Sequence, residues 1–337
     1  MILVTGATGI LGRVIVLELL KQGLKVRATK RSASNLDEVK HSYSFYTHAA
    51  EDYFKQIEWV NVDFEDQYSL EKVLVGVDEI YHCAAKVSFN PNDEKEMYQT
   101  NIEGTKNLLY ACQGLPIKKF CHISSIAVLD GMNEDGIQDE DSDFNSKLNH
   151  SSYAVSKHWS EMEVWRASAE GLNTVILNPG MIIGSGNWEE SSGEIFNIAE
   201  DNSFTFSGGT SYVDVRDVAK IAVELMNKNM FGERFVIISE NIRYKAFTDR
   251  VRKKLGLKES KILSKSILNI GNAFNILLGW AVPKLRMLNT TNIEAVTTFT
   301  DVSNKKIKSR LNYHFIPVTE SIDFHLDNYI KDKKSIR

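Results

Sequence analysis

The sequence has no excess of positive charge and few residues of the kinds that bind metals or form disulfides. Its formal net charge is −4, and Lys and Arg are not clustered before the last few residues, which argues against nucleic-acid binding. The eight histidines lack the paired spacing of zinc ligands, so we predict no metal site. The three cysteines, Cys83, Cys112 and Cys121, form no C-x-x-C motif and favour buried thiols in a reducing compartment.

Targeting signals and internal repeats are also missing. Ile2–Val4 lead directly into a glycine motif with no charged segment before them, so we expect no signal peptide and a cytoplasmic protein. Apolar residues make up 43% of the chain and charged residues 25%, as in an ordinary globular enzyme. A chain of 337 residues exceeds what one hydrophobic core usually supports, which predicts a large domain with a smaller lobe.

Short apolar runs alternate with helical patterns through the first half of the chain, which predicts βαβ units and a parallel sheet. The predicted strands are 2–5, 25–29, 58–62, 79–83, 120–124 and 174–178, and the predicted helices are 10–21, 94–112 and 151–170. After glycine-rich loops come strand 212–217, helix 218–227, strand 235–239 and helix 247–255. This order predicts a doubly wound Rossmann-type α/β fold with a smaller C-terminal substrate lobe. We assign residues 1–178 to the Rossmann domain, with 210–240 returning to it, and residues 179–209 and 241–337 to the lobe.

A glycine motif separates the first predicted strand from the first predicted helix: Thr5-Gly6-Ala7-Thr8-Gly9-Ile10-Leu11-Gly12. Gly6 permits a tight turn, Gly9 lets the backbone approach a pyrophosphate, and Gly12 lets the helix pack closely on the strand. The amides at the helix N-terminus then face the anion. We therefore predict a dinucleotide site, with a glycine turn that binds nothing as the alternative. Its predicted contacts are Thr5, Gly6, Thr8, Gly9, Ile10, Leu11 and Gly12.

The end of the second strand favours NADP over NAD. NAD sites usually carry an acidic residue there, which binds the ribose 2′-hydroxyl. This sequence has Lys30 and Arg31 instead, with no carboxylate before Asp37. Arg31 is expected to bind a 2′-phosphate through two hydrogen bonds. The alternative is that Lys30 and Arg31 form a solvated loop.

Eight residues at the ends of later strands complete the predicted cofactor pocket: Asp63, Phe64, Ala84, Ala85, Lys86, Pro179, Gly180 and Ile182. Asp63 is expected to accept a hydrogen bond from the adenine amine. Ala84 and Ala85 are small enough for the backbone to lie against a cofactor. Packing of the strand ends alone is the alternative.

Tyr153 and Lys157 are four residues apart on a predicted helix, so their side chains share one face. A free phenol titrates near ~10, and a nearby ammonium lowers that pKa, which would let Tyr153 exchange a proton at neutral pH. Ser125 ends the fifth strand, at the edge of an open α/β sheet where ligands bind. It is expected to hold the substrate oxygen, and the alternative is a serine that only satisfies the strand end.

Together these motifs resemble the extended short-chain dehydrogenase/reductases, of the NAD-dependent epimerase/dehydratase type, over nearly the whole chain. The similar segments are TGxxGxxG at 5–12, N-x-x-G-T at 101–105, Ser-Ser at 124–125, YxxxK at 153–157, Pro-Gly at 179–180 and Y-V-D-V-x-D-V-A at 212–219. The resemblance implies that Tyr153 is the catalytic acid or base and that Ser125 holds the substrate oxygen. It also implies that Lys157 binds the nicotinamide ribose and tunes Tyr153.

Within that family the sequence looks most like the dihydroflavonol 4-reductase-like branch. Lys30-Arg31 and the segment 178–180 carry this likeness, and the segment 82–89 is similar to relatives of 3β-hydroxysteroid dehydrogenases. Sugar-nucleotide epimerases usually read V-Y-G after the serines, whereas this chain reads Val128-Leu129-Asp130. In relatives the helix bearing Tyr153 and Lys157 packs with its neighbour against a second subunit, so we expect a homodimer.

No charged residue occurs in the segment 266–282, which is flanked by Lys261, Lys265, Lys284 and Arg286. It is short for a membrane span and contains three asparagines. Ile267, Ile270, Phe274, Leu277 and Leu278 share one helical face, which predicts an amphipathic helix. We expect this face to pack on the substrate lobe; a substrate lid or an interfacial membrane contact are the alternatives.

The function that these residues favour is reduction of a ketone or aldehyde, or oxidation of the matching alcohol, by hydride transfer with NADPH or NADP. NAD is less favoured as the cofactor. One alternative is a nucleotide-sugar epimerase or dehydratase that retains NAD through its cycle. The other is a non-catalytic protein that senses NADP. The sequence of the second lobe does not identify the substrate.

Overall fold

The computed structural model describes residues 1–189, 191–278 and 286–336. Its strands are β1 (Ile2–Thr5), β2 (Val26–Lys30), β3 (Glu58–Asn61), β4 (Glu79–His82), β5 (Lys119–Ile123), β6 (Asn173–Pro179), β7 (Met181–Ile183), β8 (Phe204–Thr205), β9 (Gly209–Asp214), β10 (Glu233–Ile237), β11 (Glu240–Arg243) and β12 (Lys261–Ile262). Its α-helices are α1 (Ile10–Lys21), α2 (Leu36–Tyr43), α3 (Ala50–Lys55), α4 (Gln67–Leu74), α5 (Glu94–Tyr98), α6 (Gly104–Cys112), α7 (Ser152–Ala169), α8 (Ile195–Asp201), α9 (Val215–Asn227), α10 (Tyr244–Lys254), α11 (Lys265–Leu278), α12 (Thr290–Thr297), α13 (Lys305–Leu311) and α14 (Val318–Ile336).

Seven parallel strands form the main sheet in the order β10-β6-β5-β4-β1-β2-β3. The order reverses between β1 and β4, and ligands bind at such a switch point, beyond the carboxyl ends of the strands. The glycine turn follows β1 at this edge. The predicted doubly wound Rossmann-type fold is therefore confirmed.

Helices cover both faces of the sheet, which explains why its strands read as continuous apolar runs. On one face α1 and α9 pack side by side against the sheet, and ten of the twelve residues of α1 are buried. On the other face α4, α6 and α7 pack through a second apolar cluster. These two layers fix the sheet edge on which the candidate site is built.

A smaller lobe contains the sheet β11-β9-β7, the two-stranded sheet β12-β8 and the helices α8, α10 and α14. Its core is aromatic: the rings of Tyr212 and Phe247 stack with centroids 4.9 Å apart, and Phe196 and Tyr329 pack beside them. The segment after β9 leaves this lobe, because α9 packs on α1 and β10 pairs with β6.

The structure differs from the prediction in three ways. The single helix predicted over 94–112 is divided by a π-helical turn, Gln99–Glu103. The strand predicted to Asp217 ends at Asp214, whose carboxylate accepts the Arg216 amide at 2.8 Å and so begins α9. Seven of the described helices had no counterpart in the prediction: α2, α3, α4, α8, α12, α13 and α14.

The prediction for the apolar helix is right in position and wrong in orientation. Ile267, Ile270 and Phe274 of α11 are 56%, 59% and 52% exposed. The face that packs instead bears buried Leu268 together with Asn272, which donates to Thr290 Oγ1 at 3.3 Å, and Asn275, which donates to the carbonyl of Leu288 at 3.5 Å. Residues 279–282 of the predicted segment lie outside the described residues. Within the described chain, no helix is both long and apolar enough to cross a membrane.

Candidate active site

The glycine turn brings β1 into backbone contact with the end of β4. Gly6 has a φ of +63°, a conformation that side chains disfavour. A Cβ atom on Gly6 would lie 2.6 Å from the amide nitrogen of Ala84, so the turn also requires the missing side chain. The Ala84 amide donates to Thr5 Oγ1 at 3.2 Å. The predicted Thr5, Gly6 and Ala84 therefore lie together.

The start of α1 is open to an anion. Gly9 is the N-cap residue and offers no side chain to the helix amides, which leaves them free to bind a ligand. A Cβ atom on Gly12 would lie 2.2 Å from the Gly6 carbonyl oxygen, so helix and turn touch at this point. Arg13, 1% exposed, holds the turn from behind by donating to the carbonyls of Thr8 and Gly9. The glycine turn and the uncapped amides of α1 thus have the arrangement that binds a pyrophosphate in other proteins.

Arg31 is exposed just beyond β2, and within the described chain its guanidinium makes no hydrogen bond or ion pair. Only its backbone is held, because its amide donates to Ser34 Oγ at 3.0 Å. Lys30 is anchored instead, since its ammonium donates to Asn61 Oδ1 at 3.0 Å. Arg31 is thus available to an anionic ligand at the same edge as the glycine turn.

Asp63 and Phe64 lie after β3, near this edge. Asp63 is exposed and uses one carboxylate oxygen to accept the Glu65 amide at 2.9 Å. The Phe64 ring packs against His82, with centroids 5.9 Å apart. Their predicted contacts with the adenine remain predictions.

Lys86 contributes its backbone to the strand end, and its ammonium is already paired. Its amide and carbonyl are held by the Asn101 side chain at 2.7 and 2.9 Å. Its Nζ bonds to Glu96 and lies 3.8 Å from Asp93. The Asn101 side-chain amide also donates to Ser156 Oγ at 2.9 Å, which connects the end of β4 to α7.

A buried series of hydrogen bonds lies beneath the carboxyl ends of β1 and β4. His82 bonds to Thr5 Oγ1 at 2.7 Å through Nδ1 and to Thr105 Oγ1 at 2.9 Å through Nε2. Burial, with a smaller contribution from Lys157, lowers the pKa of His82 to about 3, so the ring is neutral. Its two nitrogens then serve as one donor and one acceptor, which fixes the positions of Thr5 and Thr105. Thr105 Oγ1 in turn donates to the Asn101 carbonyl at 2.6 Å.

Tyr153, Ser125 and Lys157 converge at the carboxyl edge of β5. Ser151 caps α7 by accepting the Ala154 amide at 3.2 Å, which sets where Tyr153 emerges from the helix. Lys157 is 4% exposed and donates to the Ile123 carbonyl at 2.7 Å. Burial lowers the pKa of Lys157 to about 8, against the opposing effect of Glu161.

The expected depression of the Tyr153 pKa is wrong for this structure. Burial raises the pKa of the phenol, and a hydrogen bond with Ser125 acts in the opposite direction. Tyr153 is therefore a protonated phenol at neutral pH, in contact with the Ser125 hydroxyl. A phenol in this state is a proton donor.

The last predicted cofactor contacts lie where β6 leads into β7. Gly180 donates to the Ile237 carbonyl at 3.1 Å, and a Cβ atom there would lie 2.4 Å from the Ser211 carbonyl oxygen. Pro179 is aligned with Ile237, and the half-buried Ile182 with Val213. Pro179, Gly180 and Ile182 thus join the main sheet to the smaller lobe.

A buried carboxylate lies behind Ser125, Tyr153 and Lys157. Glu161, 1% exposed, accepts from Asn178 Nδ2 at 2.6 Å, and the same nitrogen donates to the Ser125 carbonyl at 3.1 Å. Arg234 NH1 lies 3.7 Å from the second oxygen of Glu161. Asn178 therefore connects a buried charge one turn beyond Lys157 to the backbone of Ser125.

Sequence reasoning missed Asn101, Asn178 and Glu161 as parts of the site. Asn101 lies in the N-x-x-G-T motif, and Glu161 stands four residues after Lys157. The i, i+4 spacing of Lys157 and Glu161 was a usable signal for a pair on one helical face. The bond between Asn178 and Ser125 had no such signal, because it joins residues 53 apart in sequence.

We expect Glu161→Gln to move the pH dependence of the site. The carboxylate raises the pKa of Lys157, so its removal should lower that pKa further below about 8. Lys157 would then lose its charge at a lower pH, and the alkaline fall in cofactor affinity and turnover should begin earlier. Binding and steady-state rates measured across pH test this.

Glu163→Gln is the matched control, because Glu163 is on the same helix and pairs at the surface with Arg166 at 2.9 Å. Identical pH profiles for the two variants would disprove the coupling between Glu161 and Lys157.

A glycine turn at the switch point, with Ser, Tyr and Lys beside it, is typical of one class of enzymes. This class is the nicotinamide-dependent enzymes that have the short-chain dehydrogenase/reductase active site. A model of the "NAD dependent epimerase/dehydratase family" matches residues 2–237, and the chain belongs to this family. The resemblance recognised in the sequence is thereby confirmed.

Relatives fall in the same group. The chain is 31% identical over 242 residues to sterol demethylase protein B of Methylococcus capsulatus, covering 71% of this chain and 70% of that protein. It is 29% identical over 269 residues to a putative dihydroflavonol 4-reductase of Synechocystis, covering 77% and 73%.

Solved structures agree on the fold. The crystal structure of gox2253 has a TM-score of 0.80 at 23% identity and covers 98% of both chains. UDP-glucuronic acid 4-epimerase from Bacillus cereus, in complex with UDP-glucuronic acid and NAD, has a TM-score of 0.73 at 19% identity and covers 98% of this chain and 99% of that one. At these identities the likeness concerns the fold alone.

Proposed function

We propose that this protein is an NADP-dependent reductase of a ketone or aldehyde, able to oxidise the matching alcohol. The convergence of Tyr153, Lys157 and Ser125 at the carboxyl edge of β5 is the observation that carries this proposal, because carbonyl reduction needs a proton donor beside the substrate oxygen. Exposed Arg31 supports NADP as the cofactor. The relatives named as reductases support the same reaction class.

The residues present fit a bound dinucleotide. The turn would be filled by a Cβ atom on Gly6 or Gly12, and the first amides of α1 have no cap from the Gly9 side chain. Bound NADPH would supply hydride to the carbonyl carbon. Gly6, Gly9 and Gly12 would hold the pyrophosphate, Arg31 the 2′-phosphate and Lys157 the nicotinamide ribose.

In this mechanism the chain's own side chains handle the substrate oxygen and its proton. Ser125 orients the carbonyl oxygen, and Tyr153 delivers a proton to that oxygen as its negative charge develops. Lys157 keeps a positive charge near both groups below its pKa of about 8. Asn101 and Asn178 hold the backbone on which these groups are mounted.

A second candidate is a nucleotide-sugar epimerase or dehydratase that retains NAD, which the family also contains. NADPH oxidation with a panel of ketones and aldehydes, run beside interconversion of sugar nucleotides, tests the two. Turnover of a ketone or aldehyde supports the proposal. Turnover of sugar nucleotides alone would replace it with the epimerase, and cofactor binding with neither activity would favour an NADP sensor.

We also propose which segments of the chain bind the cofactor and which bind the substrate. Residues 1–178, with 210–240, would form the NADP-binding domain, and residues 179–209 and 241–337 the substrate lobe. The packing of α9 on α1 and the pairing of β10 with β6 support assigning 210–240 to the first domain.

A homodimer is expected to form through α6 and α7. These neighbouring helices present Tyr110, Trp159 and Met162, which are 43%, 53% and 36% exposed. Light scattering should give the mass of a dimer, and Trp159→Glu should reduce it to a monomer because a buried unpaired charge opposes association. Val75→Glu, at a 69% exposed residue next to α4, is the control. A monomer at micromolar concentration in the unmodified protein would count against the interface.

A further inference from the structure

The outward apolar face of α11 is the feature that the proposed reaction leaves unexplained. Ile267, Ile270 and Phe274 are each more than half exposed, and Met287, shortly before α12, is 48% exposed. Leu268 on the other side of the helix is buried, and Asn272 and Asn275 bond toward α12. The helix is thus fixed by the face that bears Leu268, Asn272 and Asn275, and within the described residues the face that bears Ile267, Ile270 and Phe274 is left exposed.

Basic residues are concentrated in the sequence around this face. From Ser260 to Ile293 the sequence has no Asp or Glu, and it has four basic residues, in a chain whose formal net charge is −4. Lys261 in β12 and Lys265 at the start of α11 are exposed and form no ion pair within the described residues. An apolar face bordered by unpaired lysines is complementary to anionic headgroups over an apolar interior. A second copy of this chain would bring the same basic residues against each other.

The same region is connected to the entrance of the candidate active site. Asn292 of α12 donates to the Phe89 carbonyl at 3.0 Å, and Arg286 bonds to the Asn92 side chain. The Phe89 ring lies against Tyr153, with centroids 6.0 Å apart. Phe89 is itself 51% exposed, which extends apolar surface toward the site.

We propose that the outward face of α11 docks on the surface of an anionic lipid bilayer, without crossing it, and that the enzyme takes an apolar carbonyl compound dissolved in that bilayer. The second half rests on the proposed reductase function, whereas the first does not. Docking by Ile267, Ile270 and Phe274 would turn the Phe89 loop and Tyr153 toward the membrane. An apolar substrate then reaches the site without passing through water.

Vesicle sedimentation tests the docking directly. The full chain should bind vesicles of phosphatidylcholine and phosphatidylglycerol, bind less at high salt, and bind pure phosphatidylcholine weakly. The double variant Ile270→Ser/Phe274→Ser should weaken binding about tenfold or more, as expected from the apolar area lost. Lys261→Glu/Lys265→Glu should remove the preference for the anionic vesicles.

Tyr68→Ser is the control, since Tyr68 is a 74% exposed aromatic residue on α4. Circular dichroism and cofactor binding should be unchanged in all variants, because the altered side chains are exposed. Failure of the unmodified chain to bind anionic vesicles would overturn the proposal, as would equal binding by Ile270→Ser/Phe274→Ser. A self-association that this double variant abolishes, without vesicle binding, would assign the face to a second copy instead.

A kinetic arm separates docking from catalysis. For an apolar ketone carried in anionic vesicles, kcat/KM should fall in Ile270→Ser/Phe274→Ser, while the rate with a water-soluble ketone stays unchanged. Equal kcat/KM values in vesicles would overturn the substrate class and leave the docking intact. Tyr153→Phe should bind vesicles normally, so a failure of the proposed chemistry is distinguishable from a failure of docking.

Discussion

Replacement of Tyr153 by Phe is expected to reduce kcat by about 10²–10⁴-fold, the usual contribution of general acid–base assistance. The substitution keeps the ring and its contact with Phe89 and removes only the dissociable proton. Because that proton is needed as charge develops on the substrate oxygen, the loss should appear in kcat and not in NADPH affinity. Steady-state kinetics with a substrate of the unmodified protein, together with calorimetry of NADPH binding, measure both quantities.

Tyr81→Phe provides the matched control for this change. Tyr81 is a fully buried phenol on β4 whose hydroxyl has no hydrogen-bond partner in the described structure. Its loss removes the same atom without removing a contact with substrate, so turnover should be unaffected. Ser125→Ala should be milder than Tyr153→Phe, since it removes an orienting hydrogen bond and leaves the proton donor in place. Survival of turnover within a factor of a few in Tyr153→Phe would end the assignment of Tyr153 as the acid.

Arg31→Ala should weaken NADPH binding by about 1–3 kcal/mol, which is about a 5- to 150-fold loss of affinity. The Arg31 guanidinium is exposed and makes no bond of its own within the described chain, so its removal should leave the protein's stability nearly unchanged. NADH lacks the 2′-phosphate, and its affinity should change little. Calorimetry with both cofactors gives the comparison.

The control for this variant is Arg310→Ala, an exposed arginine that pairs with Glu233 at 3.1 Å on the far strand of the sheet. It should leave both affinities unchanged. Lys30→Ala should have a smaller effect than Arg31→Ala, because Lys30 is already bonded to Asn61. Equal affinity of the unmodified protein for NADPH and NADH would reject the preference for NADP.

The parts of the molecule that sequence predicted are those set by local constraints. Gly6 needs a positive φ, and Gly12 lies closer to the Gly6 carbonyl than any side chain would allow. The spacing of the glycines in the sequence predicts both requirements. Tyr153 and Lys157 are placed by helical periodicity and by a capping serine. The parallel sheet followed from the alternation of apolar runs with helices.

The parts that sequence did not predict depend on what lies opposite a residue. The period of α11 identifies an apolar face, but only the bonds of Asn272 and Asn275 decide which face turns inward. The pKa of Tyr153 depends on how deeply the packed chain covers it, which the Lys157 spacing does not reveal. Helix α14 did carry a readable signal, because its buried Val318, Ile322, Leu326 and Tyr329 recur every three or four residues.

The Glu38 carboxylate pairs with the buried Arg13 and also bonds to a second part of the molecule. The Arg13 guanidinium bonds to Glu38 at 2.7 and 2.8 Å, and the same carboxylate accepts the amide of Asn187, in the smaller lobe, at 2.7 Å. The turn that would receive the pyrophosphate and the loop that follows β7 are therefore tied through a single side chain. Heating should melt the turn and the lobe together, in one calorimetric transition. Occupancy of the turn by a dinucleotide should slow amide hydrogen exchange at Asn187.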